Sequence, residues 1–382
     1  MLRNHSGEEG GLIMNKLKEN KIVKKLLQEK RLLVLLALIL FFSLILPGKF
    51  FTMNNFRNIL YAISLQGIMI CGATFAVLLA GIDRTVSGTA ALAGAACCTT
   101  IVSFGFSWQG ILLGVLLGLL MGAISGLFHG LVLSRFEIPA FLLTLATSEI
   151  LYGLVQSITG NQLINVMNAK AFNWVGSSRI LGIPVPVYIL ALCFAFTYIV
   201  LNKTVYGRYI YCVGGNKQAA KLSGINVKKV TIIAYTISGI MGALSGLVLS
   251  SMNQQASASQ AKGYENDVLA AIVVGGVSLR GGEGTIQGAM VGALLIGVLT
   301  NGLQLMGIDP VYHDLIKGII IIFSVAVDMY ANYKKSGLKR DGFLKRQKKQ
   351  RPTPDQRSAA SETSPRNFSG LYRVLNLQRG KC

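Results

Sequence analysis

Apolar residues run in long uninterrupted blocks. Leu32–Leu46 carries no charge, and neither do Asn58–Ile82, Thr85–Ser134 and Leu181–Asn202. A bilayer core about 30 Å thick takes about 20 residues of helix to cross. Inside lipid each backbone N–H and C=O must be satisfied within its own segment, which favours helices. A barrel's alternating strands give a weaker hydropathy signal than these blocks. Ten segments fit a span: Leu32–Leu46, Ile59–Ala80, Val86–Ile101, Ile111–Leu133, Ile138–Ile158, Val187–Leu201, Val230–Ser251, Val268–Val277, Thr285–Leu303 and Asp314–Tyr330. The third and eighth adjoin Gly-rich turns and are expected to be broken or re-entrant. The expected fold is an all-α, polytopic membrane protein of about ten transmembrane helices.

Composition points the same way. Of 382 residues, 52% are hydrophobic and 14% charged, where a soluble chain carries roughly 25% charged. The first apolar run ends at Leu46-Pro47-Gly48 without a small-x-small cleavage site, so it is expected to be a span and not a secretory signal. Met14-Asn15-Lys16 resembles an ordinary start more than Met1 does. Four of the six cysteines fall in expected spans and none forms a CxxC pair, so they read as packing residues.

Charge orients the spans. Residues 1–31 hold eight basic and four acidic residues, Lys203–Lys229 six basic and no acidic ones, and 334–382 fourteen basic and three acidic ones. Together they account for the whole net charge of +21. Ten crossings put all three on one side, which the positive-inside rule makes cytoplasmic. Both termini are therefore expected inside. So basic a soluble chain would suggest nucleic-acid binding, but here the charge reads as topology, with some attraction to anionic lipid. The expected organisation is a basic cytoplasmic segment, 1–31; a transmembrane domain, 32–332; and a basic cytoplasmic tail, 333–382, too poor in apolar residues to fold alone. Within that tail, Phe368–Leu377 gives a weak amphipathic signal. Two long outer loops, Thr159–Pro186 and Met252–Asp267, are rich in Asn, Gln, Ser and Gly and offer surface to an external partner.

Enzyme chemistry finds little support. The chain has no G-x-x-x-x-G-K-[ST] phosphate loop, no H-E-x-x-H and no Ser/His/Asp elbow, and His5, His129 and His313 lie far apart. Two other stretches stand out. In Gly207-Arg208 to Ile225, a Gly214-Gly215-Asn216 turn leads into a short helix, Lys217–Leu222, with Asn216 as N-cap and Gly224 as the C′ residue. A rigid knob for a partner and an ordinary connector are equally good readings. Residues 275–284 hold five glycines, Gly275, Gly276, Gly281, Gly282 and Gly284, around Ser278. A tight turn is the plainer reading and a broken-helix hinge at a gate the functional one. Gly114, Gly118, Gly122, Gly126 and Gly130 recur every four residues and make one close-packing face. Glu149 sits mid-span, where a charge costs roughly 2.5–3.5 kcal/mol, so it is expected to face the bundle interior or a polar cavity. Asp83 and Arg84 are expected to form an internal ion pair.

With these residues in view, the chain resembles the membrane permease subunits of bacterial monosaccharide ABC importers, the group of the ribose and galactose/methyl-galactoside permeases, from about Phe50 to Asp328. The resemblance rests on Gly207 to Ile225, Tyr264-Glu265-Asn266-Asp267 to Thr285, Gly297 to Leu303 with Asn301, Gly307-Ile308-Asp309-Pro310 and Lys317-Gly318. It implies a homodimer, a cytoplasmic ATP-binding subunit that holds ATP and Mg, an extracytoplasmic sugar-binding protein, and no cofactor in this chain itself. It implies that Gly207, Arg208, Gly214, Gly215, Asn216, Ala219, Ala220, Leu222, Ser223 and Gly224 couple to the ATPase; Gly275, Gly276, Ser278, Gly281, Gly282 and Gly284 are the candidate gate hinge. Asp83, Thr144, Glu149, Tyr152 and Asn301 are candidate polar residues of the path. The chain departs from the family at Asp83-Arg84-Thr85-Val86-Ser87-Gly88, where Arg84 replaces an apolar residue and Ser-Gly is inverted. Tyr152 is similar to galactoside-type members. The expected function is import of a ribose- or galactose-like sugar across the bacterial inner membrane by alternating access. The alternative is an ATP-independent secondary transporter or channel for a small polar solute, which would use carboxylates such as Glu149 and Asp83.

Overall fold

Ser, Thr and Asn side chains start most of the long helices. The computed structural model describes residues 30–309, 311–320, 322 and 326. The expected basic segment up to residue 29, with Met1–Ile13, lies outside the described residues, as do Asp328 and the tail from 333 with Phe368–Leu377. Ala326 opens a second unit, and all other described residues belong to the unit that ends at Val325.

The helices are α1 (Lys30–Ile45), α2 (Met53–Leu78), α3 (Thr85–Ser103), α4 (Trp108–Arg135), α5 (Ala140–Thr159), α6 (Lys170–Ser177), α7 (Val185–Lys203), α8 (Val205–Gly215), α9 (Lys217–Leu222), α10 (Val227–Asn253), α11 (Tyr264–Val274) and α12 (Ile286–Leu305). A further helix, α13, covers residues 311–320. Thr52, Ser107, Asn226 and Thr285 each accept the third backbone N–H of α2, α4, α10 and α12, an orphan donor at any helix start.

Seven of these helices (α2, α3, α4, α5, α7, α10 and α12) are long and apolar enough to cross a membrane. Among the described residues, seven helices meet that length, where about ten spans are expected. The first expected span is the 16-residue α1, about 24 Å at 1.5 Å per residue. The third, expected to be broken, is a continuous 19-residue helix. The eighth is the 11-residue α11, which starts four residues earlier than hydropathy suggests, at Tyr264. Its first turn carries Glu265 and Asp267, polar residues that a hydropathy window discards.

Burial separates an inner group from an outer one. The apolar windows of α2 and α3 are 83% and 78% buried, against 28% for α4 and α7 and 33% for α5. The α4 glycine stripe explains how the two groups meet. Gly114, Gly118, Gly122, Gly126 and Gly130 are the buried residues of α4, with Gly110, Ile111, Ser125 and His129, while its leucines face outward. A Cβ on Gly122 would strike Ala243 and Gly239 of α10, and one on Gly130 would lie 2.6 Å from the Ile232 Cα. Only glycine lets these backbones approach so closely. Cys71, Cys97, Cys98 and Cys193 are buried free thiols.

The end carrying Lys203, Arg208, Lys217, Lys221, Lys228 and Lys229 is called the basic end here. At the opposite end the connection after α5 is ordered, not merely exposed. Ile164–Asn165 pairs antiparallel with Gln255–Ala256, and Arg179–Ile180 with Ile183–Pro184. Helix α6 is pinned on α10, because Ser251 Oγ donates to Phe172 O (2.7 Å) and accepts from Gly176 N (2.7 Å).

Candidate functional site

The two Gly-rich stretches of the sequence meet at the basic end. Gly282 N donates to Leu78 O, the last residue of α2, at 2.9 Å. A Cβ on Gly214 would strike that same carbonyl, and one on Gly282 would lie 2.6 Å from the Gly215 Cα. Helix α8, the 275–284 loop and the end of α2 therefore touch main chain to main chain. Tyr211 of α8 adds a hydrogen bond to Gly284 O (3.0 Å), and burial holds its phenol above the usual range, as a neutral donor. Gly276, Gly281, Gly282 and Gly284 all take positive φ, a region glycine enters without strain. The loop closes on itself through Ser278 N to Glu283 O (2.9 Å) and Gly281 N to Ser278 O (3.0 Å).

Helix α9 projects from this joint. Asn216 Oδ1 accepts from Ala219 N at 2.9 Å, and Gly224 ends the turn at φ 82°. Ala220 packs inward, whereas Leu222 is 90% exposed. Arg208, Gly215, Asn216, Ala219 and Ser223 are also exposed, and Gly207 is buried against the end of α7. A cleft of about 550 Å³ lies beside α9, lined among others by Arg135, Glu137, Lys217, Lys221 and Lys228.

A second constellation surrounds the break between α2 and α3. Ala80 turns the chain at φ 61°, and Gly81 sits where a Cβ would strike the Tyr235 hydroxyl. Buried Asp83 accepts from Thr85 N (2.9 Å), from Thr85 Oγ1, and from Ser238 Oγ of α10 (2.6 Å). Thr144 of α5 donates to Ile82 O (2.9 Å). The expected Asp83–Arg84 ion pair does not form: adjacent side chains point apart here, and Arg84 reaches α11 instead. Its guanidinium pairs with Glu265 (3.4 Å), donates to Asn266 Oδ1 (3.0 Å) and lies 5.9 Å from the Phe141 ring centroid. Next to it, Tyr152 of α5 is 7% exposed. Lys262 stands 6.0 Å from its ring centroid. Tyr152 also lines a polar pocket of about 210 Å³ with Gln156, Asn161, Ser257, Ser259 and Lys262.

Asp83, Thr144 and Tyr152 thus come together, and two other expected path residues do not. Asn301 donates to Asn55 Oδ1 (2.8 Å), in a separate pocket of about 290 Å³. Glu149 is exposed on the outward face of α5, which corrects the expectation that it faces the interior of this chain. The buried face of α5 is set by Thr144, Thr147, Ser148, Leu151, Tyr152 and Val155, and Glu149 is turned away from it.

Sequence reasoning missed the partners of Arg84 and a buried ion pair. Lys317 of α13 meets Asp267 of α11 at 2.8 Å, and Gln66 Nε2 donates to the same carboxylate at 2.9 Å. Asp267 and Lys317 are 50 residues apart, so no local period links them. Their isolated charges in apolar surroundings were the available signal.

Residues 55–325 match the family described as branched-chain amino acid transport system / permease component. The ribose import permease protein RbsC of Escherichia coli is 38% identical over 306 residues, covering 79% of this chain and 94% of that protein. Its Bacillus subtilis namesake is 39% identical over 295 residues, 77% of this chain and 90% of that one. The L-arabinose transport system permease protein AraH of Escherichia coli is 33% identical over 299 residues, with 78% and 90% covered. No solved structure matches.

Proposed function

Because this chain belongs to the branched-chain amino acid transport system / permease component family, we propose that it is the membrane subunit of an ATP-driven importer that carries a ribose- or galactose-like monosaccharide across the bacterial inner membrane. The chain is a multi-pass transport subunit and not an enzyme. ATP and Mg belong to a cytoplasmic partner, and an extracytoplasmic sugar-binding protein delivers the solute to the Asn/Gln-rich end. The 32–332 domain makes ten crossings, with α1, α11 and α13 completing the seven long spans and both termini cytoplasmic.

One observation carries this reading: the main-chain joint between α8, the 275–284 loop and the end of α2. The ATPase grips α9 through exposed Leu222 and its neighbours. Movement of α9 is passed by contacts with almost no slack to the ends of α2 and α12, and so to the break before α3, which switches the facing of the path. Glu149 supports a second copy of the chain. Left in lipid it would cost roughly 2.5–3.5 kcal/mol, and a partner packed on α5 removes that cost.

The test is uptake in proteoliposomes holding the chain with its co-expressed ATPase and sugar-binding protein. ATP-dependent uptake of a monosaccharide is expected, and uptake by this chain alone without ATP would replace the importer with the secondary transporter. Leu222→Asp removes an exposed side chain from no core, so the chain stays folded while coupled uptake falls about tenfold or more, the scale of one lost hot-spot contact.

A further inference from the structure

Buried polar atoms almost always find a partner inside a folded protein. Around the start of α3 most do: Thr85 bonds Asp83, Thr89 lies 3.2 Å from Ser125, and Thr147 donates to Leu143 O. Five atoms in the same patch have none among the described residues: Tyr235 OH beside Gly81, His129 Nε2 one turn beyond Ser125, and Arg84 Nε, Ser87 Oγ and Tyr152 OH. Ser87 is fully buried and Tyr152 nearly so, so bulk water does not serve them freely. The last three lie together, since Ser87 follows Arg84 by one helical turn, Gly88 beside it packs against Ser148 and Leu151 of α5, and Tyr152 clusters with Ala91, one turn beyond Ser87.

The chemistry of this set is specific. Arg84 Nε can only donate, while the Ser87 and Tyr152 hydroxyls each donate and accept. Glu265 accepts, and its 3.4 Å pairing with Arg84 is longer than the 2.7–2.9 Å usual for a charge-assisted bond, so its oxygens retain capacity. Arg84 and Glu265 compensate each other's charge. A free anion would meet Glu265 and a free cation Arg84, whereas neighbouring hydroxyls of a neutral sugar satisfy donors and acceptors at once. The set also sits at the right depth. Helix α11 is 11 residues long, about 16 Å, so its first turn with Glu265 stands roughly halfway across a 30 Å core from the basic-end loop. The polar pocket of about 210 Å³ lined by Tyr152 and Lys262 adjoins it.

We propose that Arg84, Ser87 and Tyr152, with Glu265 as acceptor, form the point at which the path reads a pair of neighbouring hydroxyls on a neutral sugar. This rests on the importer reading above. Arg84, placed where the resemblance expects an apolar side chain, becomes the specificity-determining residue that distinguishes this chain.

The test measures uptake of a parent sugar and its singly deoxygenated analogues by the complete complex in proteoliposomes, for wild type, Y152F, S87A and R84L. Y152F and S87A keep packing nearly intact. Wild type should lose about tenfold for the analogue lacking a recognised hydroxyl. Y152F or S87A should lose about as much for the parent sugar and little more for that analogue. R84L should flatten the ranking of the analogues. The sugar-binding protein is common to all arms, so its preference cancels in the variant-to-wild-type ratios. A wild type that takes up no sugar would remove the importer reading and this site with it. Sugar uptake by wild type, with variants that match it or that lose equally on every analogue, would overturn the site alone.

Discussion

The break between α2 and α3 and the break between α11 and α12 are held by different materials. Between α11 and α12 the closure is main chain: Gly282 N on Leu78 O, and Gly214 and Gly282 pressed on neighbouring backbone. Between α2 and α3 it is side chain: Asp83 on Ser238 and Thr85, Thr144 on Ile82 O, Arg84 on Glu265 and Asn266. Backbone contacts offer no rotamers, so the first joint passes a displacement on without absorbing it. Side-chain partners can be exchanged one at a time, so the second joint can trade an internal bond for a ligand. A transport protein needs both, a stiff element to receive work and an adjustable one to meet the solute.

The comparison breaks hardest at Gly214. A valine there would push on Leu78 O, a main-chain atom that cannot turn aside. Gly214→Val is expected to cost about 3 kcal/mol, the upper range for overpacking, read as a lowered thermal midpoint in detergent and lost coupled uptake. Its neighbour is the control, because a Cβ on Gly215 meets nothing within 4 Å. Gly215→Ala should keep wild-type stability, so any uncoupling it causes reports on the ATPase contact.

At the other break, Asp83→Ala leaves the Ser238 hydroxyl and Thr85 without their acceptor. The expected loss is about 2 kcal/mol, within the 1–3 kcal/mol of an orphaned buried group, measured by the same melt. Asp83→Asn, which keeps one acceptor oxygen, should lose less. Arg84→Leu strands the Glu265 carboxylate, 10% exposed. A double-mutant cycle with Glu265→Gln should return about 1 kcal/mol of coupling, discounted for partial solvation; additive effects would mean that the two side chains act independently. The smallest effect belongs to Glu149. Glu149 is exposed on α5, so Glu149→Gln should lose no stability in the isolated chain, because it takes a charge out of apolar surroundings, and cross-linking yield between copies should be the property that falls.

Helical, membrane-spanning character was legible in the sequence because it follows from local quantities: uncharged blocks, Ser, Thr and Asn caps, and the glycine repeat of α4. Helix α9 was legible to its ends for the same reason, since Asn216 and Gly224 lie within one turn of the residues they cap. The start of α11 was not, because its first turn carries Glu265 and Asp267, where hydropathy alone sees a loop.

Tertiary structure alone decided which polar groups meet. Gly214 and Gly282 are 68 positions apart, and Arg84 and Glu265 are 181 apart, so no period in the chain relates them. The direction of Glu149 was likewise set by which face of α5 packs on α3, not by its place in the segment. Hydropathy and capping are properties of one residue and its near neighbours, which a sequence states outright. A joint or a binding point is a property of helices packed side by side, and it exists only once the glycines have let their backbones close.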